Sequence, residues 1–222
     1  MSNPLPIIEL LHTAGVHVHT FDALLRPHAA EVALRHEVRP DWLARARGGG
    51  LTTDLRIEVA QHLAQAAARA ATVVCTCSTL GPVADEVART HPSVLRIDRP
   101  MMEEAARTPG TCVVAVCLAS TIGPTTELLI RAHRARGRAP DYEIADCTSA
   151  WPHFEAGDAG RYAAGIARVV ESRVAALPGA SCVVLAQASM AAAEPLLERL
   201  AIPVLSSPRL AAREALARAR DG

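Results

Sequence analysis

Aromatic side chains are scarce: two Trp, two Tyr and two Phe make up 3% of 222 residues. A surface that stacks nucleobases needs more of them. An excess of one charge is lacking too. Lys+Arg and Asp+Glu both number 23, for a formal net charge of zero. Neither the basic stripe of a nucleic-acid binder nor the polybasic cluster of an anionic-membrane binder is present. No apolar run approaches the roughly 20 residues that cross a bilayer. Met1-Ser2-Asn3-Pro4 lacks the charged and apolar regions of a signal peptide, so a cytoplasmic location is expected. No Cys-x-x-Cys occurs, which removes the commonest framework for structural zinc. The six cysteines (Cys75, Cys77, Cys112, Cys117, Cys147, Cys182) lie in or beside apolar runs. That placement suits reduced core or active-site thiols better than a secreted disulfide framework.

What is present is a folded chain, half hydrophobic and 21% charged, long enough for one large or two small domains. Apolar strand-like runs alternate with helix-like ones. Leu5–Leu11, Val32–Val38, Thr72–Cys77 and Ser93–Ile97 read as strands in the first half. Thr111–Leu118, Tyr142–Cys147, Ser181–Ala186 and Pro203–Leu205 read so in the second. Helices are expected over Phe21–Ala33 (interrupted by Pro27), from Thr52 or Thr53 to Ala70, over Thr125–Arg136, Ala159–Ala176 and Ala191–Leu200, and from Pro208. Arg47-Gly48-Gly49-Gly50 reads as a break.

Such alternation, with continuous rather than alternating apolar strands, indicates a parallel α/β architecture. The halves also match each other. A shift of 110 residues lays Val73-Val74 on Val183-Val184, Cys77 on Gln187 and Val94-Leu95 on Val204-Leu205. A shift of 108 sets the first strand over Val113–Ala119 and His12-Thr13 over Ser120-Thr121. The expected fold is α/β, two pseudo-symmetric three-layer parallel-sheet half-domains with the active-site cleft between them. The expected boundaries are 1–97 plus 206–222 for the first half-domain and 98–205 for the second.

In open parallel sheets, ligands bind beyond the carboxyl ends of the strands. The loops there are His12-Thr13, Cys77-Ser78-Thr79, Ser120-Thr121 and Gln187-Ala188-Ser189. Hydroxyls and free N–H groups of the following helices suit a carboxylate or other small anion. Val73-Val74-Cys75-Thr76-Cys77-Ser78-Thr79-Leu80-Gly81-Pro82 carries the sharpest signal. A buried-strand run hands over to helix-start residues at Cys77. A thiolate is favoured at a helix N-terminus, so the pKa of Cys77 is expected to be depressed.

These residues resemble a known family. Val74-Cys75-Thr76-Cys77-Ser78-Thr79 is similar to the first cysteine motif of the aspartate/glutamate racemase superfamily, and Val184–Met190 falls where that family has its second. Ile97–Ala105, Pro124-Thr125, Gly157-Asp158 and Pro203–Pro208 carry the resemblance along nearly the whole chain. It implies cofactor-independent chemistry at the carbon next to a carboxylate, with two cysteines facing that carbon. It implies Cys77 as the catalytic thiol. His12, Thr13, Ser78, Thr79, Ser120, Thr121, Gln187 and Ser189 are then the substrate contacts, and a small amino or organic acid is the substrate. Gln187 stands at the second-cysteine position and can neither take nor give a proton, so a two-thiol racemase with the family pattern is not what this sequence spells. Arylmalonate decarboxylase and maleate isomerase are relatives that rely on one cysteine.

Further expectations concern partners and metals. A homodimer or higher homo-oligomer is expected, with no nucleic acid and no membrane. His17-x-His19 has metal-ligand spacing, and Asp22 or Asp146 could join it in a metal site, but no acidic ligand is placed convincingly, and no metal or cofactor is expected. A carboxylate-binding protein without chemistry is the reading from a different class.

Overall fold

Parallel strands need a crossover between neighbours, usually helical, and this chain supplies one after every strand. The structure is a computed structural model and describes residues 4–221. Residues up to Ile97, joined by those from Pro208, form unit 1, and Asp98–Ser207 form unit 2. Unit 1 runs β1 (Ile7–His12), α1 (Val16–Leu25), β2 (Ala33–Val38), α2 (Pro40–Gly49), α3 (Thr53–Ala67), β3 (Thr72–Cys75), α4 (Gly81–Val87) and β4 (Val94–Arg96). Unit 2 runs α5 (Arg99–Ala105), β5 (Thr111–Val116), α6 (Ala119–Arg134), β6 (Tyr142–Asp146), α7 (Trp151–Glu155), α8 (Ala159–Ala175), β7 (Ala180–Leu185), α9 (Glu194–Leu197) and β8 (Val204–Ser206). Helix α10 (Ser207–Asp221) then returns the chain to unit 1.

Each unit holds one four-stranded, all-parallel sheet, ordered β2-β1-β3-β4 and β6-β5-β7-β8. In unit 1, Leu11, Val73 and Cys75 pack with Trp42 of α2, with Leu55, Val59 and Leu63 of α3 and with Val83 of α4. In unit 2, Val113, Ala115, Val183 and Leu185 pack with Tyr162, Ile166 and Val170 of α8. Among the described residues, no helix is long and apolar enough to cross a membrane.

The two ladders have the same register. Leu11 pairs Cys75 and Cys75 pairs Arg96; Ala115 pairs Leu185 and Leu185 pairs Ser206. The bonds beyond the paired positions match as well. Thr76 N–H donates to Leu11 O (2.9 Å) and Ala186 N–H to Ala115 O (3.0 Å); Leu80 N–H donates to Cys77 O (3.1 Å) and Met190 N–H to Gln187 O (2.9 Å). Cys77 therefore corresponds to Gln187, as the shift of 110 has it. The first strand does not follow the shift of 108. Leu11 corresponds to Ala115, a shift of 104, so Thr13 corresponds to Cys117 rather than to Thr121.

Three local expectations need correction. The expected break at Arg47–Gly50 is the end of α2, which Pro40 opens and Gly50 closes at φ 71° while Trp42 and Ala46 face the core. Helix α6 begins at Ala119, not Thr125. Pro124 forfeits one bond near its start, and the buried Leu128, Leu129 and His133 of later turns hold it. The helix expected at Phe21–Ala33 lies earlier, at Val16–Leu25, and gives way to a 3-10 turn holding Pro27.

One glycine is fixed by contact. A Cβ at Gly81, the first residue of α4, would lie 2.5 Å from Arg96 Nε and 2.6 Å from its Cζ. Arg96 is 1% exposed and its Nη1 donates to Asp85 Oδ2 at 3.2 Å, so the guanidinium has nowhere to go. Gly81→Ala is expected to destabilise the fold by about 1–3 kcal/mol, read as a lower thermal midpoint.

Candidate active site

In unit 1 the carboxyl ends of β1 and β3 lie side by side and present His12, Thr13, Thr76 and Cys77. Side chains alternate along a strand, so these four divide between the two faces. Cys75 and Cys77 belong to the face covered by α2, α3 and α4, and the Cys75 thiol donates to the Cys77 carbonyl at 3.9 Å. Cys77 is the residue before a 3-10 turn (Ser78–Leu80) that runs straight into α4. The Thr13 hydroxyl, the backbone N–H groups of Leu80 and Thr79 and the Thr79 hydroxyl all reach its sulfur. Thr13, Ser78 and Thr79 are buried beside it.

The ionisation of Cys77 is the reverse of the sequence expectation. Burial pushes its thiol up, and the donors from Thr13, Leu80 and Thr79 offset this only in part. A helix-start position favours a thiolate, but Cys77 is only 7% exposed, and desolvation of its thiol outweighs the local donors. At rest Cys77 carries its proton.

His12 lies on the opposite face, fully buried, with Phe21 and His17 of α1 against its ring at 5.7 and 6.2 Å. The Thr76 hydroxyl donates to Leu11 O at 3.0 Å, so His12 Nδ1–H is the donor to Thr76 Oγ1 at 2.8 Å. That tautomer leaves His12 Nε2 to accept from His36 Nδ1–H at 2.9 Å, and His36 Nε2 reaches Asp22 Oδ1 at 3.1 Å. Burial, then the charges of His17 and His36, lower the His12 pKa to about 3, and burial lowers that of His17 to about 4. His12 is thus a neutral strut joining β1 to β3 behind Cys77. Among the described residues, no three His, Cys, Asp or Glu side chains are arranged to hold a metal.

Unit 2 gathers the remaining residues at the carboxyl ends of β5 and β7. Gln187 Oε1 accepts the Cys117 N–H at 2.6 Å, which fixes the amide and turns Nε2 away. Nε2 has no partner among the described residues, although Gln187 is only 8% exposed. The buried Thr121 Oγ1, in the first turn of α6, also has none. Ser120 is half-buried next to it. Ser189 bonds the Tyr162 hydroxyl at 2.8 Å. Sequence reasoning missed Thr76, His36 and Tyr162. Only the tertiary fold brings them in, and the strand-end position of Thr76 was their one available signal.

Each sheet gathers hydroxyls at its own strand ends, with the Cys77 thiol in unit 1 and the unpaired Gln187 Nε2 and Thr121 Oγ1 in unit 2. Comparison with known proteins agrees with that architecture. The profile of the Asp/Glu/hydantoin racemase family matches residues 14–215. The chain belongs to this family. Its fold is similar to that of glutamate racemase from Francisella tularensis subsp. tularensis SCHU S4, solved with D-glutamate (12% identity over 96% of this chain and 80% of that one, TM-score 0.72). It is similar also to Picrophilus torridus aspartate racemase (12%, 96% and 94%, TM-score 0.70) and to arylmalonate decarboxylase (14%, 98% and 94%, TM-score 0.61). Among curated proteins none matches. Within this Asp/Glu/hydantoin racemase member, the residue in the Cys77-equivalent place of unit 2 is Gln187.

Proposed function

We propose that this racemase-family protein is a cofactor-independent enzyme that moves a proton at the carbon alpha to the carboxylate of a small amino or organic acid, with Cys77 as the acid/base. The observation that carries the reading is the Cys77 sulfur ringed by the Thr13 and Thr79 hydroxyls and the Thr79 and Leu80 N–H groups. A carbanion beside a carboxylate spreads its charge onto the carboxylate oxygens, and fixed donors lower the barrier to forming it. Thr13, Ser78 and Thr79 supply hydroxyl donors next to Cys77. In unit 2, Gln187 Nε2 and Thr121 Oγ1 supply unspent ones. Ser120 and Ser189 line the same strand ends, and His12 acts from behind by holding β1 to β3.

A second reading, one-thiol decarboxylation of a malonate-like acid, is favoured by the protonated resting state of Cys77. Loss of carbon dioxide leaves a carbanion that needs a proton donor and no base. The neutral thiol is that donor as it stands, and the proton passes from sulfur to carbon to leave a thiolate held by Thr13, Thr79 and Leu80. Six free, buried cysteines accord with the cytoplasmic location expected for such an enzyme.

The test is incubation in D2O with a panel of amino acids, dicarboxylates and arylmalonates, followed by NMR at the alpha position. Deuterium entering unchanged substrate or its mirror image marks racemase or isomerase chemistry. Deuterium only in a product one carboxylate shorter marks decarboxylation. Binding of a panel member without incorporation from any would identify a carboxylate-binding protein and contradict both.

A further inference from the structure

At the amino ends of β5 and β7, away from the strand-end hydroxyls, two thiols meet across a ladder. Cys112 and Cys182 are direct partners in the parallel pairing of β5 with β7, two positions before Val114 and Val184. Neighbouring strands lie about 4.8 Å apart, and partners in register turn their side chains to the same face. Both thiols therefore point to the face opposite Val113 and Val183, which pack against α8. The strand spacing falls within the roughly 4.4–6.8 Å between Cα atoms that a disulfide spans. The two sulfurs are hydrogen-bonded to each other.

The backbone brings them together where the ladder is irregular. The register shifts between Thr111 and Cys112. Gly110 stands just before, at φ 112°, and a Cβ there would lie 2.8 Å from Ser181 Cβ, so glycine lets the chain enter β5 this close to β7. The Ser181 hydroxyl then donates to Thr111 O at 3.2 Å. Thr111 and Ser181 are half-buried, whereas Cys112 and Cys182 are buried, so one residue of irregular strand separates the sulfurs from solvent. The bond from Cys112 holds the Cys182 thiol below its ordinary value against burial, with a smaller share from the Ser181 hydroxyl. The same bond, with burial, pushes Cys112 up. Cys182 is thus the readier nucleophile and Cys112 the thiol placed to resolve it. The neighbouring thiols Cys117 and Cys147 differ: they lie past the last paired residues of β5 and β6, and the Cys117 sulfur is shared with the Tyr162 hydroxyl.

We propose that Cys112 and Cys182 are an oxidisable dithiol within unit 2, closed to a disulfide by small hydroperoxides and reopened by thiol reductants. It is independent of the proposed alpha-proton chemistry. An electron pair of the Cys182 sulfur attacks one peroxide oxygen. The S–O bond forms as the O–O bond breaks, and the Cys182 proton leaves with the departing oxygen as water. The Cys112 sulfur then attacks the sulfenic sulfur: the S–S bond forms, the S–O bond breaks, and the Cys112 proton leaves in a second water. The two sulfurs give up two electrons, which reduce one hydrogen peroxide to two waters. In a reducing compartment the pair rests as two thiols. Once oxidised it ties β5 to β7 covalently and restrains the unfolded chain.

The full chain is treated with hydrogen peroxide, alkylated in denaturant and digested without reductant. Free thiols are expected to fall from six to four and to return to six with dithiothreitol. Mass spectrometry should find one cross-link, between Cys112 and Cys182. Cys112 and Cys117 share a tryptic peptide, so fragmentation of that peptide assigns the sulfur. The oxidised protein should melt about 5 °C or more above the reduced one. Cys182→Ala is expected to show neither the cross-link nor the rise. Six thiols still titrating after peroxide, a single sulfur oxidised to sulfinic acid, or a cross-link joining Cys117 to Cys147 instead, each overturns the assignment. A Cys112–Cys182 cross-link that leaves the midpoint unmoved overturns the tie between β5 and β7. Should Cys182→Ala not fold, the cross-link map and the melts of wild type decide.

Discussion

Lowering the pH from 7 to 5 is expected to remove about 4 kcal/mol of folding stability, since one pKa unit is about 1.36 kcal/mol and two buried histidines each lose about 2. His12 is lowered to about 3 and His17 to about 4, in both cases first by burial. The ordinary value is 6.5, so between pH 6.5 and 4 the unfolded chain binds protons that the folded chain refuses. Stability therefore falls as pH falls through that window. Above 6.5 both states are neutral at these sites and the effect vanishes. Exposed carboxylates held low by arginines, such as Glu58 and Asp41, add a loss of the same sign only nearer pH 4 and below. Urea unfolding at pH 7, 6 and 5 measures the slope, and His17→Gln should remove about half of it. A midpoint that does not move between pH 7 and 5 would mean that His12 and His17 are not held neutral.

Cys77→Ser is expected to lower alpha-proton exchange by about 1,000-fold, within the range for loss of a positioned acid/base. The variant keeps the shape of the side chain and its bonds to Thr13, Thr79 and Leu80, so the thermal midpoint should stay close to wild type. A serine hydroxyl is too weak an acid and its alkoxide too costly a base to substitute for the thiol. A variant that loses activity and also melts far lower would instead assign Cys77 to packing.

The β3 segment and its Cys77 turn were legible in the sequence because two local rules agree there: a β-branched run, then helix-start residues. The correspondence of Cys77 with Gln187 was legible because β3–β4 and β7–β8 are spaced alike. The correspondence of Thr13 with Cys117 was not. His12 and Thr76 are 64 residues apart and Cys117 and Gln187 are 70, so the intervening helices differ in length and no single shift aligns both strand ends. The register of the ladders supplies what an ungapped match cannot. The ionisation of Cys77 was misread for a related reason. Helix-end electrostatics can be read from neighbours in sequence, whereas desolvation depends on α2, α3 and α4 closing over the strand end. The His36–Asp22 contact behind His12 comes from β2 and α1 and left no local trace.

The central claim is that Cys77 transfers a proton at a carbon next to a carboxylate. It is tested most directly by following solvent deuterium into the alpha position of the panel acids, wild type against Cys77→Ser at equal concentration. The account predicts incorporation by wild type and about a thousandth of that rate in the variant. Incorporation at the same rate in both proteins would contradict it.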